Sequence, residues 1–469
     1  MLAGIGEVAI TPPVGAPLLG CIQRSTGVHD DLFARALVLS DGQTQVAVVC
    51  HDLIGMDFTL ADEIRGAVKQ RTGITTTLLN CSHTHSSPFT IPWSMLGRRW
   101  LSGPGAAWRR DLVAKVAGVV NQAAGGLSPA HLSVGRAPAQ IGFNRRLPTD
   151  QGIVMKPNSQ GTVVPWVDVL RVDGADGPPL AVLFSHAAHP VIVHGASRLI
   201  SADYPGYAAA TIRQHFGGKT VAMFGQACGA NINGEPLRGG FEEAERLGAT
   251  LAKAAITAAS RSARLCATEL KIASRTLALP FQDLPSQKDC ETALRQAQDH
   301  LAQVCGASEP DDDQLWALQD QVDLSPQPQA ESVADDVQPM EGKPWWIQDT
   351  ILCLRDLLDK IKRGERQSLR FEIQALAFGN EWCLLTMTHE LFAEYQLWFD
   401  QSAPFERKLV LAYTNGCETY VPTDKEFAVG GYEAASATLD GAALRYPYRV
   451  ALKPGVEQQI RQAITGLWA

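Results

Sequence analysis

The chain has 469 residues, enough to bury a large core as one α/β domain or two coupled ones. Lys and Arg total 41 against 49 Asp and Glu, and a net charge of −8 excludes the broad positive field of a nucleic-acid binder. The start, MLAGIGEVAITPP, has no basic stretch leading into an apolar one, and no apolar run reaches the roughly 20 residues of a membrane span, so the expectation is a soluble cytoplasmic protein with no membrane span.

In chain order, apolar strand-like runs at Ala36–Leu39, Val46–Cys50, Thr77–Cys81, Val167–Val172, Leu180–Phe184 and Thr220–Phe224 alternate with helical patterns. The helices fall at Leu60–Arg71, Ala107–Ala124, Tyr207–His215 and Phe241–Ser260, where apolar residues recur at three and four. The expected class is α/β, with mixed β-sheets and surrounding helices over residues 1–469 as a single catalytic domain. From 285 to 367 the composition turns to Gln, Asp, Glu and Leu, with an acidic run at Glu309, Asp311, Asp312 and Asp313. Gln287–Val304 and Trp345–Arg363 read there as amphipathic helices joined by a Pro- and Gln-containing linker around Ser325–Pro339. This helical insertion packs on the body or serves as a lid or dimerisation arm, and a homo-oligomer stays open. Strands resume at Phe371–Phe378, Trp382–Met387 and Lys408–Tyr413, and no internal repeat is visible. The ten cysteines occur singly, without the CxxC pairs of a structural zinc site.

Three strand ends carry chemistry. Cys81-Ser82-His83-Thr84-His85-Ser86-Ser87-Pro88 places two His at i and i+2, which on a strand share a face and offer two imidazoles to one centre. A pair merely hydrogen-bonded in a loop fits equally. Ser185-His186-Ala187-Ala188-His189-Pro190-Val191-Ile192-Val193-His194 ends another strand, and five of the 11 His lie in these two windows. Ligands of α/β sheets converge at the carboxyl ends of strands. At most one or two of His186, His189 and His194 reach one metal. Thr388-His389-Glu390-Leu391 ends a third strand, where Glu390 acts as ligand or base, or only favours a helix N-terminus.

Together these blocks resemble the neutral/alkaline non-lysosomal ceramidase family, zinc amidases that cleave the fatty-acyl amide of ceramide, and the chain looks like a divergent short bacterial-type member. Gly4-Ile5-Gly6-Glu7-Val8-Ala9-Ile10-Thr11-Pro12, Thr26-Gly27-Val28-His29 and Ala34-Arg35-Ala36 resemble the family's opening blocks. His83-Thr84-His85-Ser86-Ser87-Pro88 is similar to its His-Thr-His-Ser-Gly-Pro, whose first His binds zinc and whose second lines the reaction site. Asn144-Arg145 resembles an Asn-Arg pair whose Arg lies at the active site. His189-Pro190, followed by Arg198-Leu199-Ile200-Ser201-Ala202-Asp203, keeps the family's spacing and selects His189 over its neighbours. Tyr420-Val421-Pro422-Thr423 and Tyr432-Glu433-Ala434-Ala435-Ser436 resemble its zinc-binding and catalytic tyrosine motifs.

The resemblance implies zinc held by His83, His189, Glu390 and Tyr420, with His85, Tyr432 and Arg145 as catalytic residues stabilising an oxyanion. Two departures accompany it: Asn233 replaces the family's Ser in the Gln226-to-Asn233 turn, and the chain is too short for the family's C-terminal β-sandwich. An N-acyl amine other than ceramide is therefore the expected substrate, with lactone or ester hydrolysis at the same site as an alternative. Asp52 and Asp203 are candidate acceptors for a zinc-bound His, or helix caps. A Cys228-nucleophile hydrolase and a non-catalytic binding protein are the competing classes.

Overall fold

The computed structural model describes residues 1–20, 23–92, 95–306, 344–434 and 442–468. The acidic run Glu309–Asp313, the Ser325–Pro339 linker, and Ala435 and Ser436 lie outside these.

Three sheets carry the fold on one plan. In the first, Leu2–Ala9, Phe33–Ser40 and Gln45–His51 pair antiparallel in succession; the helix Phe58–Thr72 then leads to Thr76–Cys81, parallel to Gln45–His51. The second repeats this with His131–Pro138, Trp166–Asp173 and Ala181–His186, the helix Asp203–His215 and the parallel strand Val221–Gln226. The third does so with Leu270–Pro280, Ser368–Phe378 and Trp382–Met387, the helix Ala393–Ser402 and the parallel strand Arg407–Leu411. The chain thus contains a threefold structural repeat that the sequence does not display. The three units share connections and burial but not side chains, and pairing needs only the former.

The sheets face inward on one core. Leu37, Leu39, Val46 and Val48 from the first sheet meet Leu170, Leu183, Val221 and Met223 from the second and Leu376, Leu384, Leu409 and Leu411 from the third. The opposite faces are covered by helices: Ala34, Ala36, Ala47 and Val49 pack on Leu60, Ile64, Val116 and Val120. Strands buried on both faces read as continuous apolar runs, which is why their sequences do not alternate. The edge strand of each unit turns to the centre, where Asn80 joins all three: its Nδ2 donates to the Ala412 carbonyl at 2.5 Å, and its Oδ1 accepts from Gln226 N at 2.9 Å. Six strand carboxyl ends therefore open on one region.

The predicted insertion lies between the first two strands of the third sheet. Gln287–Cys305 starts at Ser286, whose hydroxyl accepts from Asp289 N at 3.1 Å, and stops at Gly306 with φ 66°. Its Leu301 packs on Ile347 and Ile351, and its Cys290 on Leu354 and Leu357, of the helix Pro344–Lys362. Trp345, at the start of that second helix, enters the first sheet's outer core beside Trp100. No helix among the described residues is long and apolar enough to cross a membrane.

Candidate metal centre

His83 follows the strand Thr76–Cys81 in a left-handed turn with φ 69°, outside the strand. The shared-face argument for His83 and His85 therefore does not apply: a turn, not the pleat, brings their rings to 5.1 Å, and His189 stands 4.7 Å from His83. His83, His85 and His189 offer ligand atoms within 4.8 Å of one another, a possible three-histidine metal site.

The two innermost rings are oriented by backbone carbonyls. His83 Nδ1 lies 2.6 Å from Ile54 O, and His189 Nδ1 2.8 Å from Gly229 O and 3.2 Å from Ile232 O. Only a ring N–H can pair with a carbonyl, so each Nδ1 donates and each Nε2 presents a lone pair. Those two Nε2 atoms both lie 3.3 Å from Glu390 Oε2. Lone pair against carboxylate oxygen makes no hydrogen bond, and His189 Nε2 is buried without one. Nitrogen and oxygen ligands about 2.0–2.2 Å from a tetrahedral cation stand about 3.3–3.6 Å apart, so these three atoms fit a metal ion between them. Burial lowers His189 to about 4, which keeps its imidazole neutral as a ligand must be.

Glu390 pairs with Tyr420 across a two-residue parallel ladder, each beyond a strand of the third sheet. The Tyr420 ring faces Tyr432 at 6.0 Å and Tyr446 at 5.7 Å. Arg145 reaches the same place because a β-bulge at Asn144–Arg146 turns consecutive side chains inward, so that Asn144, Arg145 and Arg146 are all buried. From Arg145, Nη2 donates to the Tyr420 hydroxyl at 3.0 Å, Nη1 to Asn233 Oδ1 at 3.1 Å and Nε to Glu433 Oε1 at 2.7 Å. Burial would discharge this guanidinium, but Tyr420 and Glu433 raise its pKa well above the ordinary value. His85 Nδ1 lies 3.1 Å from His194 Nδ1, while His85 Nε2 is buried without a hydrogen bond. Burial, with His194 beside it, depresses the His85 pKa well below its usual value, and burial raises the Tyr432 hydroxyl to about 12.

His83, His85, His189, Glu390, Tyr420, Arg145 and Tyr432 thus converge from all three units. Other candidates do not. His186 Nδ1 turns away to Trp166 O at 2.9 Å. Asp52 pairs with Arg35 at 2.8 Å and accepts from Phe33 N, so it orients no ring and caps no helix; Asp57 caps the helix Phe58–Thr72 instead. Asp203 accepts from Val193 N and Tyr204 N at the start of its helix, the structural role rather than the histidine acceptor. Cys228 is fully buried among Leu391, Phe392 and Tyr395, and burial drives its thiol pKa far up, which removes it as a nucleophile. Sequence reading passed over Glu433, Tyr413 and Tyr446 as site residues and set His194 aside in favour of His189. His194 and Tyr413 do sit at strand-end segments, but no spacing marks Tyr446.

A three-unit α/β fold thus gathers a buried His/Glu/Tyr cluster at its strand ends. Residues 1–259 match the profile of the neutral/alkaline non-lysosomal ceramidase N-terminal region, and the chain belongs to that family. Two solved structures share the fold. A ceramidase complexed with C2 matches at TM-score 0.66 and 18% identity over 96% of this chain and 73% of that one. The neutral ceramidase from Pseudomonas aeruginosa matches at TM-score 0.64 and 19% identity over 96% and 72%.

Proposed function

We propose that this ceramidase-family hydrolase is a zinc enzyme cleaving the amide of an N-acyl amine, with His83, His189, Glu390 and Tyr420 as metal ligands. The observation that carries this is Glu390 Oε2 at 3.3 Å from two imidazole nitrogens whose opposite nitrogens are committed to carbonyls. Zinc, when bound there, supplies Lewis acidity for the carbonyl and lowers the pKa of a water.

The chain's own residues supply the rest. Tyr432, protonated at neutral pH with its hydroxyl at about 12, donates to the oxygen that gains charge during attack. Arg145 adds fixed positive charge, and its three hydrogen bonds hold it in place before substrate arrives. His85 keeps Nε2 open in a buried setting, where a neutral imidazole can hydrogen-bond the attacking water or the oxygen that gains charge. Asn233, where the family's Ser would stand, accepts from Arg145, and this supports attack by water over a serine intermediate. A non-ceramide acyl group and a cytoplasmic setting complete the proposal.

The test is metal analysis with turnover of short N-acyl amines, esters and lactones. One equivalent of zinc in the wild type, with loss of both zinc and turnover in His189→Ala, is expected. Full activity in metal-free protein would refute the reading.

A further inference from the structure

Both oxygens of Glu390 are engaged, and by different parts of the molecule. Oε2 faces the two imidazoles and accepts from the Tyr413 hydroxyl at 3.4 Å. Oε1 accepts from the Tyr446 hydroxyl in a closer contact. A carboxylate that ligates through one oxygen is aimed by whatever holds the other. Tyr446, 6% exposed, follows the short helix Ala442–Arg445 in a stretch that forms no strand among the described residues.

Two sets of contacts fix that stretch: Tyr448 donates to Glu418 Oε2 at 2.8 Å and stacks on Phe281 at 4.3 Å, and Arg445 and Arg449 reach the insertion. Arg445 Nη1 pairs with Asp349 Oδ2 at 2.9 Å, its Nη2 donates to Thr350 Oγ1 at 2.6 Å, and its guanidinium lies 3.8 Å from the Trp346 ring centre. Arg449 Nε pairs with Asp356 Oδ2 at 2.7 Å, and its Nη1 donates to the Leu444 carbonyl at 2.9 Å and to Cys353 Sγ at 3.2 Å. All five partners on the far side belong to the helix Pro344–Lys362, which is itself seated through Trp345, 2% exposed. Two arginines thus bracket Tyr446 at one position before and three after it, and both are tied to one rigid helix.

We propose that the helix Pro344–Lys362, through Arg445 and Arg449, holds the Tyr446 hydroxyl on Glu390 Oε1, which makes Tyr446 a positioning residue for the metal-binding carboxylate. This rests on the reading of Glu390 as a ligand. It gives the insertion a role at the site without a lid: the helix sets the aim of a ligand from outside.

The experiment is zinc affinity of the purified full chain, measured by chelator competition, with melting of the metal-free protein as a second readout. Tyr446→Phe keeps the ring and its edge contact with Tyr420, removing only the hydroxyl. The expected result is zinc binding weakened about 10- to 100-fold, the cost of losing an outer partner of a ligand, with the metal-free melting curve unchanged. Asp349→Asn, which loosens Arg445 without changing its shape, should weaken zinc several-fold and add nothing in the double variant, because the two act along one route.

Wild-type affinity in Tyr446→Phe overturns the proposal, and so does an equal loss of metal-free stability, which marks a merely structural tyrosine. Additive losses in the double variant overturn the helix's part. His189→Ala separates the two levels of inference. If it still binds zinc, the metal reading fails; if it does not while Tyr446→Phe binds normally, only the present inference falls.

Discussion

Glu433→Gln tests whether the tyrosine loop is held by charge. The side chain is buried, with Oε1 at 2.7 Å from Arg145 Nε and Oε2 paired with Arg146 Nη1. Arg146 keeps a second carboxylate, Glu426, at 2.8 Å, whereas the other two partners of Arg145 are the neutral Tyr420 hydroxyl and Asn233 amide. Gln preserves the shape and removes the charge, so a balanced set of two guanidiniums and two carboxylates becomes one carboxylate short. Breaking a buried pair in this way costs about 3–5 kcal/mol, because the remaining charge cannot be rehydrated. Against a typical total of about 5–15 kcal/mol that is a large share.

The assay is urea unfolding followed by tryptophan fluorescence. The midpoint should fall by the amount corresponding to that loss; zinc should still bind through His83, His189 and Glu390, but more weakly, because Arg145, which Glu433 holds, donates to the Tyr420 hydroxyl. Arg145→Met in the Glu433→Gln background should recover part of the stability by removing the stranded charge. An unchanged midpoint, or a double variant less stable than the sum of the singles, would refute the reasoning.

Three further outcomes are expected. His85→Ala should lose turnover yet retain zinc, in contrast to His189→Ala, and parallel metal analysis distinguishes them. His51, His186 and His389 are each lowered by burial to about 4 from an unfolded value near 6.5, so the folded state binds fewer protons in that window. Their contribution is fully present above about pH 6.5 and is lost as pH falls through about 4; His51→Gln should flatten the fall in stability over that range, and an unaltered slope would count against it. At Gly135, an added methyl would stand 2.2 Å from the Ala258 carbonyl oxygen, where backbone must yield, so Gly135→Ala should cost about 1–3 kcal/mol in thermal unfolding.

Much of this protein was legible in its residues. The apolar runs at Val46–Cys50 and Leu180–Phe184 and the 3.6-residue periodicity of Phe241–Ser260 reported elements correctly because burial on both sheet faces and on one helix face constrains every position. His83, His189, Glu390 and Tyr420, which the fold brings together, could be singled out because they follow strands, three of them in short ordered motifs that resemble a family's. The hairpin Gly142–Thr149 with Gly152–Asn158 was not found, since the buried side chains of its first strand are the polar Asn144, Arg145 and Arg146 and its second strand is half-exposed, which leaves no apolar pattern.

Tertiary structure alone decided the rest. The threefold plan of the sheets depends on hydrogen-bond pairing between distant segments, and such pairing is indifferent to side-chain identity, so no repeat survives in the sequence. Asp52 and Asp203 could have oriented a histidine by spacing alone, but the carbonyls of Ile54, Gly229 and Ile232 stand there instead, and backbone groups leave no trace in a residue pattern. Arg145 points inward through a bulge, and Tyr446 meets Glu390 across 56 positions, a contact that no local spacing announces. Sequence determines which groups are available to bind and react; the contacts that aim them belong to the folded chain.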